Sequence, residues 1–112
     1  MVNLYNIPKQ SRAQIKQVVD DFLKNRGLNP QSVINISFVS KNKIRILNKK
    51  YRQIDQPTDV LSFPIWHNLG EIPKTGPVAL GDIFICPSQS EINKNLDDLI
   101  KHSLNHLIGQ HH

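Results

Sequence analysis

Apolar residues in this chain fall into short alternating runs and longer runs at three- and four-residue spacing, broken by proline and glycine. Residues 2–7 alternate and predict a strand ending at Pro8. Ser11-x-x-Gln14 resembles a capping box. Ile15, Val18, Val19, Phe22 and Leu23 then predict a helix over about 12–26, closed by Gly27 before an Asn29-Pro30 turn. Val33–Val39 is a second strand, with Ile34, Ile36 and Phe38 on one face. Ser40 caps a second helix over 41–52, whose apolar side carries Ile44, Leu47 and Tyr51. Val60–Phe63 forms a short strand stopped by Pro64, and residues 66–77 an irregular loop. Val78–Cys86 is a further strand, where Gly81 marks a bulge or a close backbone approach. From Ser88-x-x-Glu91 onward, Ile92, Leu96, Leu99, Ile100, Leu104, Leu107 and Ile108 trace a long amphipathic stripe. Asn95-x-x-Asp98 offers a second cap, so a break near Asn95 is expected.

This pattern of strands and helices in 112 residues bounds the chain to one domain, 1–112, with a modest core. The single cysteine, Cys86, excludes an internal disulfide and suits a reducing compartment. No apolar run approaches the ~20 residues of a membrane span, and the first residues lack a signal-peptide layout. A cytoplasmic protein with no membrane partner is the expectation. The formal net charge of +5 favours polyanions, nucleic acid first among them. Its distribution sharpens this, because Lys41, Lys43, Arg45, Lys49, Lys50 and Arg52 fall in one twelve-residue segment with no acid. On the helix over 41–52, Lys41, Arg45, Lys49 and Arg52 lie within ~80° of one another, a basic stripe that binds RNA or is simply a solvated face. Trp66 and His67 open the loop and either stack on a base or pack locally.

The C-terminus carries metal chemistry. His102, His106, Gly109 and His112 fit H-x-x-x-H-x-x-G-x-x-H. At about 100° per residue the first two imidazoles stand roughly 40° apart on one helical face, one turn apart. Gly109 can take the left-handed conformation that ends a helix and turns the chain back, bringing His112 in as a third nitrogen. Three protein ligands and one open position suit catalytic zinc, although other transition metals also take imidazoles. The pattern overlaps that of the metzincin proteases, yet Ser103 stands where their glutamate base is required. Serine cannot take a proton from water near neutral pH, which disfavours peptide hydrolysis. Zinc lowers its water's pKa toward 7 without a strong base, and an arginine fork matches phosphate oxygens bidentately. Beside a basic helix, the residues point to a phosphodiester.

Three blocks together resemble the YbeY-type endoribonucleases of bacterial ribosomal RNA maturation. Leu47-Asn48-Lys49-Lys50-Tyr51-Arg52-Gln53-Ile54-Asp55-Gln56-Pro57-Thr58-Asp59-Val60-Leu61-Ser62-Phe63-Pro64 is similar to that family's L-N-x-x-Y-R-x-x-D-x-P-T-D-V-L-S-F-P. Leu80-Gly81-Asp82-Ile83-Phe84-Ile85-Cys86-Pro87 is similar to L-G-D-I-x-I-C-P, and the terminal motif to H-G-x-L-H-L-x-G-x-D-H. The resemblance implies an α+β, zincin-like single domain: a small mixed β-sheet packed with helices and a metal-binding C-terminal helix. It implies zinc on His102, His106 and His112, with Arg52 holding the scissile phosphate and His102 and Arg52 at the centre of the chemistry. Lys41, Arg45 and Lys49 are weaker RNA-binding candidates, and Ser62 and Asp82 weaker candidates for shaping the cleft. The implied function is a single-strand-directed RNase in maturation of the small-subunit rRNA 3′ end and in ribosome quality control, with the ribosome and its associated proteins as partners.

The sequence departs from that pattern in three places. His111 replaces the acid before the last ligand and competes with His112 as third ligand. Ser103 replaces a glycine, and only fourteen residues separate Pro87 from His102. Relatives also continue past the third ligand, so a minimal or C-terminally truncated domain is expected. The alternative to the nuclease is a non-catalytic RNA- or ribosome-binding factor with a weakened metal site.

Overall fold

In the computed structural model, which describes residues 2–89 and 92–109, the chain alternates strands and helices. β1 (Val2–Tyr5), α1 (Lys9–Asn25), β2 (Ser32–Phe38) and α2 (Lys41–Arg52) are followed by β3 (Val60–Pro64), β4 (Val78–Ile85) and α3 (Ile92–Leu107). Short 3-10 turns cover Leu69–Glu71 and Pro87–Gln89. The strands form one mixed sheet in the order β1-β2-β4-β3. β1, β2 and β4 run parallel, while β3 is an antiparallel edge strand on β4. The α+β expectation and the mixed sheet agree with this architecture.

The period-two pattern decides what each face of the sheet does. Ile34, Ile36, Ile83 and Ile85 are fully buried on one face, against Ile15, Val19 and Phe22 of α1 and Leu96, Ile100, Leu104 and Leu107 of α3. Ser62 pairs in register with Ile83 and therefore looks toward α3. Leu61 points to the opposite face, where it packs with Ile44 of α2 and Cys86. The edge strand is thus held between α3 on one side and α2 on the other.

Several boundaries differ from expectation for local reasons. β1 stops at Tyr5 because Asn6 adopts a left-handed φ of 57°. α1 starts at Lys9 with Pro8 in the cap position and no side-chain cap. Ser11 is already helical, its N–H donating to the Pro8 carbonyl at 2.9 Å. That backbone bond already satisfies an N–H that a serine side chain would otherwise cap, so the first turn forms without one. α2 matches its expected span, and the Ser40 hydroxyl accepts from the Lys43 N–H. Tyr51 lies at the end of the apolar side and stays half-exposed, while Asn48 is the polar residue buried beside Ile44. The Asn48 amide donates to the Gln56 carbonyl at 2.8 Å and so pins the loop that leads to β3. α3 runs unbroken through Asn95. The Glu91 half of the second capping box lies outside the described residues.

Gly81 meets both expectations made for it. The β2–β4 register shifts beside it, with Val33 opposite Ala79 but Ile34 opposite Gly81, which leaves Leu80 as the extra residue of a bulge. The backbone of β3 also approaches it closely. The loop over 66–77 is irregular yet tied down. The Asn29 amide donates to the carbonyls of Pro73 and Gly76, and Trp66 Nε1 donates to Ala79 O at 2.9 Å. Trp66 therefore packs locally.

Candidate metal and phosphate site

α3 carries His102 and His106 one turn apart, His102 exposed and His106 half-buried against β3. Ser103, between them, is turned the other way. It is 1% exposed and donates its hydroxyl to the Leu99 carbonyl one turn back at 2.9 Å. A small residue is needed at that position, and it belongs to the core rather than to the imidazole face.

Ser62 on β3 is the point where the separate elements meet. Its hydroxyl shares a hydrogen bond with His106 Nδ1. Its backbone carbonyl accepts from Arg52 Nη2 at 2.9 Å. The Arg52 guanidinium also lies 4.9 Å above the Phe63 ring, which in turn meets Tyr51 edge-on with centroids 5.2 Å apart. Arg52 is the last residue of α2, released by Gln53 in the left-handed conformation. The contiguous run from Leu47 to Pro64 thus has a structural meaning. Asn48 holds the loop, Tyr51 and Phe63 stack the helix end on the strand, and Arg52 reaches the backbone of Ser62.

The basic stripe is only partly uncompensated. Lys41, Arg45 and Lys49 are exposed, but Arg45 Nε donates to Asp55 Oδ1 at 2.8 Å and Lys49 Nζ stands 3.8 Å from Asp55 Oδ2. The Arg45 hydrogen bond holds the Asp55 carboxyl below the usual carboxylate range, and the same contact raises the guanidinium of Arg45. Asp55 was not expected to act on the stripe, because helical periodicity ends at Arg52 and does not reach it.

Asp82 pairs with Phe63, not Ser62, and so lies on the sheet face away from α3. Its Oδ1 accepts from Asn35 Nδ2 at 2.9 Å, and Asn35 Oδ1 accepts from Asn3 Nδ2 at 3.0 Å. This polar row ties β1, β2 and β4 and places Asp82 outside the Ser62–His106 side. Gly109 takes a φ of 84°, the left-handed end expected of it. A Cβ there would lie 2.7 Å from His67 O, so the end of α3 is pressed against the 66–77 loop.

His112, and His111 as its competitor, lie outside the described residues. Among the described residues no group of three or more potential ligands converges. The described part of the donor set still fits a transition metal: two imidazoles share one helical face, and one of them is fixed through Nδ1, as metal-bound histidines commonly are. A groove of about 480 Å³ between α1 and α3, floored by Val18 and Phe22 and rimmed by Gln14, Arg26, Asp97 and Asn105, is separate from these residues. No helix among the described residues is long and apolar enough to cross a membrane.

The fold is shared with a solved structure, that of TM1509 from Thermotoga maritima. It matches with a TM-score of 0.58 at 23% identity, covering 100% of this chain and 73% of that one. Residues 3–112 match the family model described as Endoribonuclease YbeY. Proteins named endoribonuclease YbeY from Oceanobacillus iheyensis and Acholeplasma laidlawii are 30% and 31% identical. The alignments cover 88% and 99% of this chain and 72% and 81% of those proteins. The protein of that name from Clostridioides difficile is 32% identical over 88% of this chain and 71% of its own length. The chain belongs to the YbeY endoribonuclease family.

Proposed function

We propose that the chain is a metal-dependent, single-strand-directed endoribonuclease of ribosomal RNA maturation in the cytoplasm. In this reading it acts at the small-subunit rRNA 3′ end and in ribosome quality control, with residues 1–112 working as one hydrolase domain. The observation that carries it is the convergence on Ser62, where a phosphate-type arginine and a metal-type histidine meet on one edge strand. His102, His106 and His112 would hold zinc, which supplies activation of the attacking water and compensation of phosphoryl charge. Arg52 holds the scissile phosphate. Ser62 O takes one of its five donors and fixes the plane of the guanidinium, while the fork retains further N–H groups for phosphate oxygens. Lys41, Arg45 and Lys49 extend this charge along α2, where a single strand would run. The exposure of His102 and the open edge of β3 suit a polynucleotide, which needs a track rather than an enclosed pocket.

The test pairs metal analysis with cleavage of single-stranded rRNA fragments. Arg52→Ala is expected to keep its zinc and lose roughly 10²–10³ in cleavage rate, the cost of removing one preorganised charge-stabilising donor. Wild-type protein with a full complement of zinc and no cleavage would instead make the chain an RNA-binding factor.

Asp55→Asn should strengthen RNA binding while leaving cleavage chemistry intact. It removes the acid that Arg45 and Lys49 share, so the affinity should fall more steeply with salt, by roughly 0.7 in the log–log slope on a single strand. Fluorescence anisotropy across a salt series reads this directly. The pH dependence has a definite sign. Asp55 is lowered in the fold, so its ion pair is complete above the ordinary carboxylate range of about 4. The pair is lost only as pH falls through the lower folded value. Wild-type RNA affinity should therefore rise as acid neutralises Asp55, and the Asn variant should lack that rise.

A further inference from the structure

We infer that Ser62 is the positioning residue of the metal site: its hydroxyl accepts the Nδ1 proton of His106 and so sets the imidazole in the tautomer whose Nε2 lone pair faces the metal. The inference rests on the proposed metal site and deepens it. The contact joins residues 44 apart in sequence, between an edge strand and a helix, so it exists only in the folded chain.

The chemistry allows only one arrangement that serves a ligand. A neutral imidazole carries one proton, on Nδ1 or Nε2, and the partner of one nitrogen decides which. If Ser62 donated to Nδ1, the proton would sit on Nε2 and that nitrogen could not bind a metal ion. If Ser62 accepts, Nε2 carries the lone pair and the ring is ready without rearrangement. Ser62 has the means to act as acceptor, since its hydroxyl has two lone pairs and can turn its own hydrogen elsewhere. His106 is half-buried against β3, so water competes poorly for Nδ1.

The location adds a second consequence. Ser62 O is also the acceptor for Arg52, so one residue sets the ring plane of a metal ligand with its side chain and anchors the phosphate arginine with its backbone. Removing the hydroxyl should disturb the first task and leave the second in place. That separation makes the role measurable.

The experiment uses the full chain and zinc alone as probe, with a competing chromogenic chelator reading affinity. Two-bond ¹H–¹⁵N spectra of the zinc-free protein read the His106 tautomer. Ser62→Ala should weaken zinc binding roughly 10–100-fold and shift His106 away from the Nδ1–H form. Ser62→Thr, which keeps the hydroxyl, should restore both, and Arg52→Ala should leave both unchanged. Unchanged zinc affinity in Ser62→Ala overturns the inference. So does weakened affinity with an unchanged tautomer, which would mark Ser62 as merely structural. Wild-type protein that binds zinc through Nδ1–H His106 yet cleaves no RNA would sink the nuclease reading and leave this inference standing.

Discussion

Alanine at His102 or His106 is expected to empty the proposed metal site and take RNA cleavage below detection. Zinc held by protein ligands at neutral pH is worth roughly 10–16 kcal/mol in small structural sites. A quarter to a third of that, lost with one ligand, lowers affinity by about 10³. The two variants should differ in stability. His102 is exposed on α3, so with zinc stripped from both proteins His102→Ala should unfold at nearly the wild-type urea concentration, and only the zinc-loaded wild type should gain stability over it. His106→Ala also strands the Ser62 hydroxyl, which costs about 1 kcal/mol where the group is half-buried. Metal content by mass spectrometry, urea midpoints and a cleavage assay together check the prediction. Full zinc occupancy in both variants would remove α3 from the chemistry.

The spacing of those two histidines is legible in the sequence because it is local: four residues on a helix fix the geometry without reference to anything else. The same holds for α2, whose Ser40 cap and apolar spacing gave its span. What supports the proposed ligands is not local. No periodicity links Ser62 to His106 or Asp55 to Arg45, since both contacts depend on where a loop returns the chain. Ser11-x-x-Gln14 has the form of a capping box, yet α1 starts earlier, at Lys9, because the Pro8 carbonyl takes the Ser11 N–H in its place. The expected break near Asn95 failed for the opposite reason. Tertiary burial of Leu96, Ile100, Leu104 and Leu107 against the sheet outweighs a weak local cap. Asp82 is a weaker cleft candidate because it sits in a recognisable motif. Strand register, which the motif does not reveal, puts it on the Phe63 face, away from His106 and hydrogen-bonded to Asn35.

Register also explains the second large effect, which falls on a residue with no chemistry. Gly81→Ala should destabilise the fold by roughly 3–5 kcal/mol, from strained backbone of about 1–3 kcal/mol and overpacking of a similar size. Its φ of 147° belongs to a region L side chains rarely adopt. A Cβ there would lie 2.3 Å from Phe63 O and 2.9 Å from Leu107 Cδ2. Neither neighbour yields cheaply: one is backbone of the edge strand, the other a fully buried side chain near the end of α3. The clash therefore pushes β3 and α3 off β4 at the point where they bring Ser62 to His106. A domain of this size has only about 5–15 kcal/mol to lose, so thermal and urea midpoints should drop sharply. In whatever fraction stays folded, zinc affinity should fall as well, although residue 81 touches no proposed ligand. Relief of strain by shifting the bulge would show as normal stability with weakened zinc. Normal stability with normal zinc affinity would mean that β3 is not held by the close approach at Gly81.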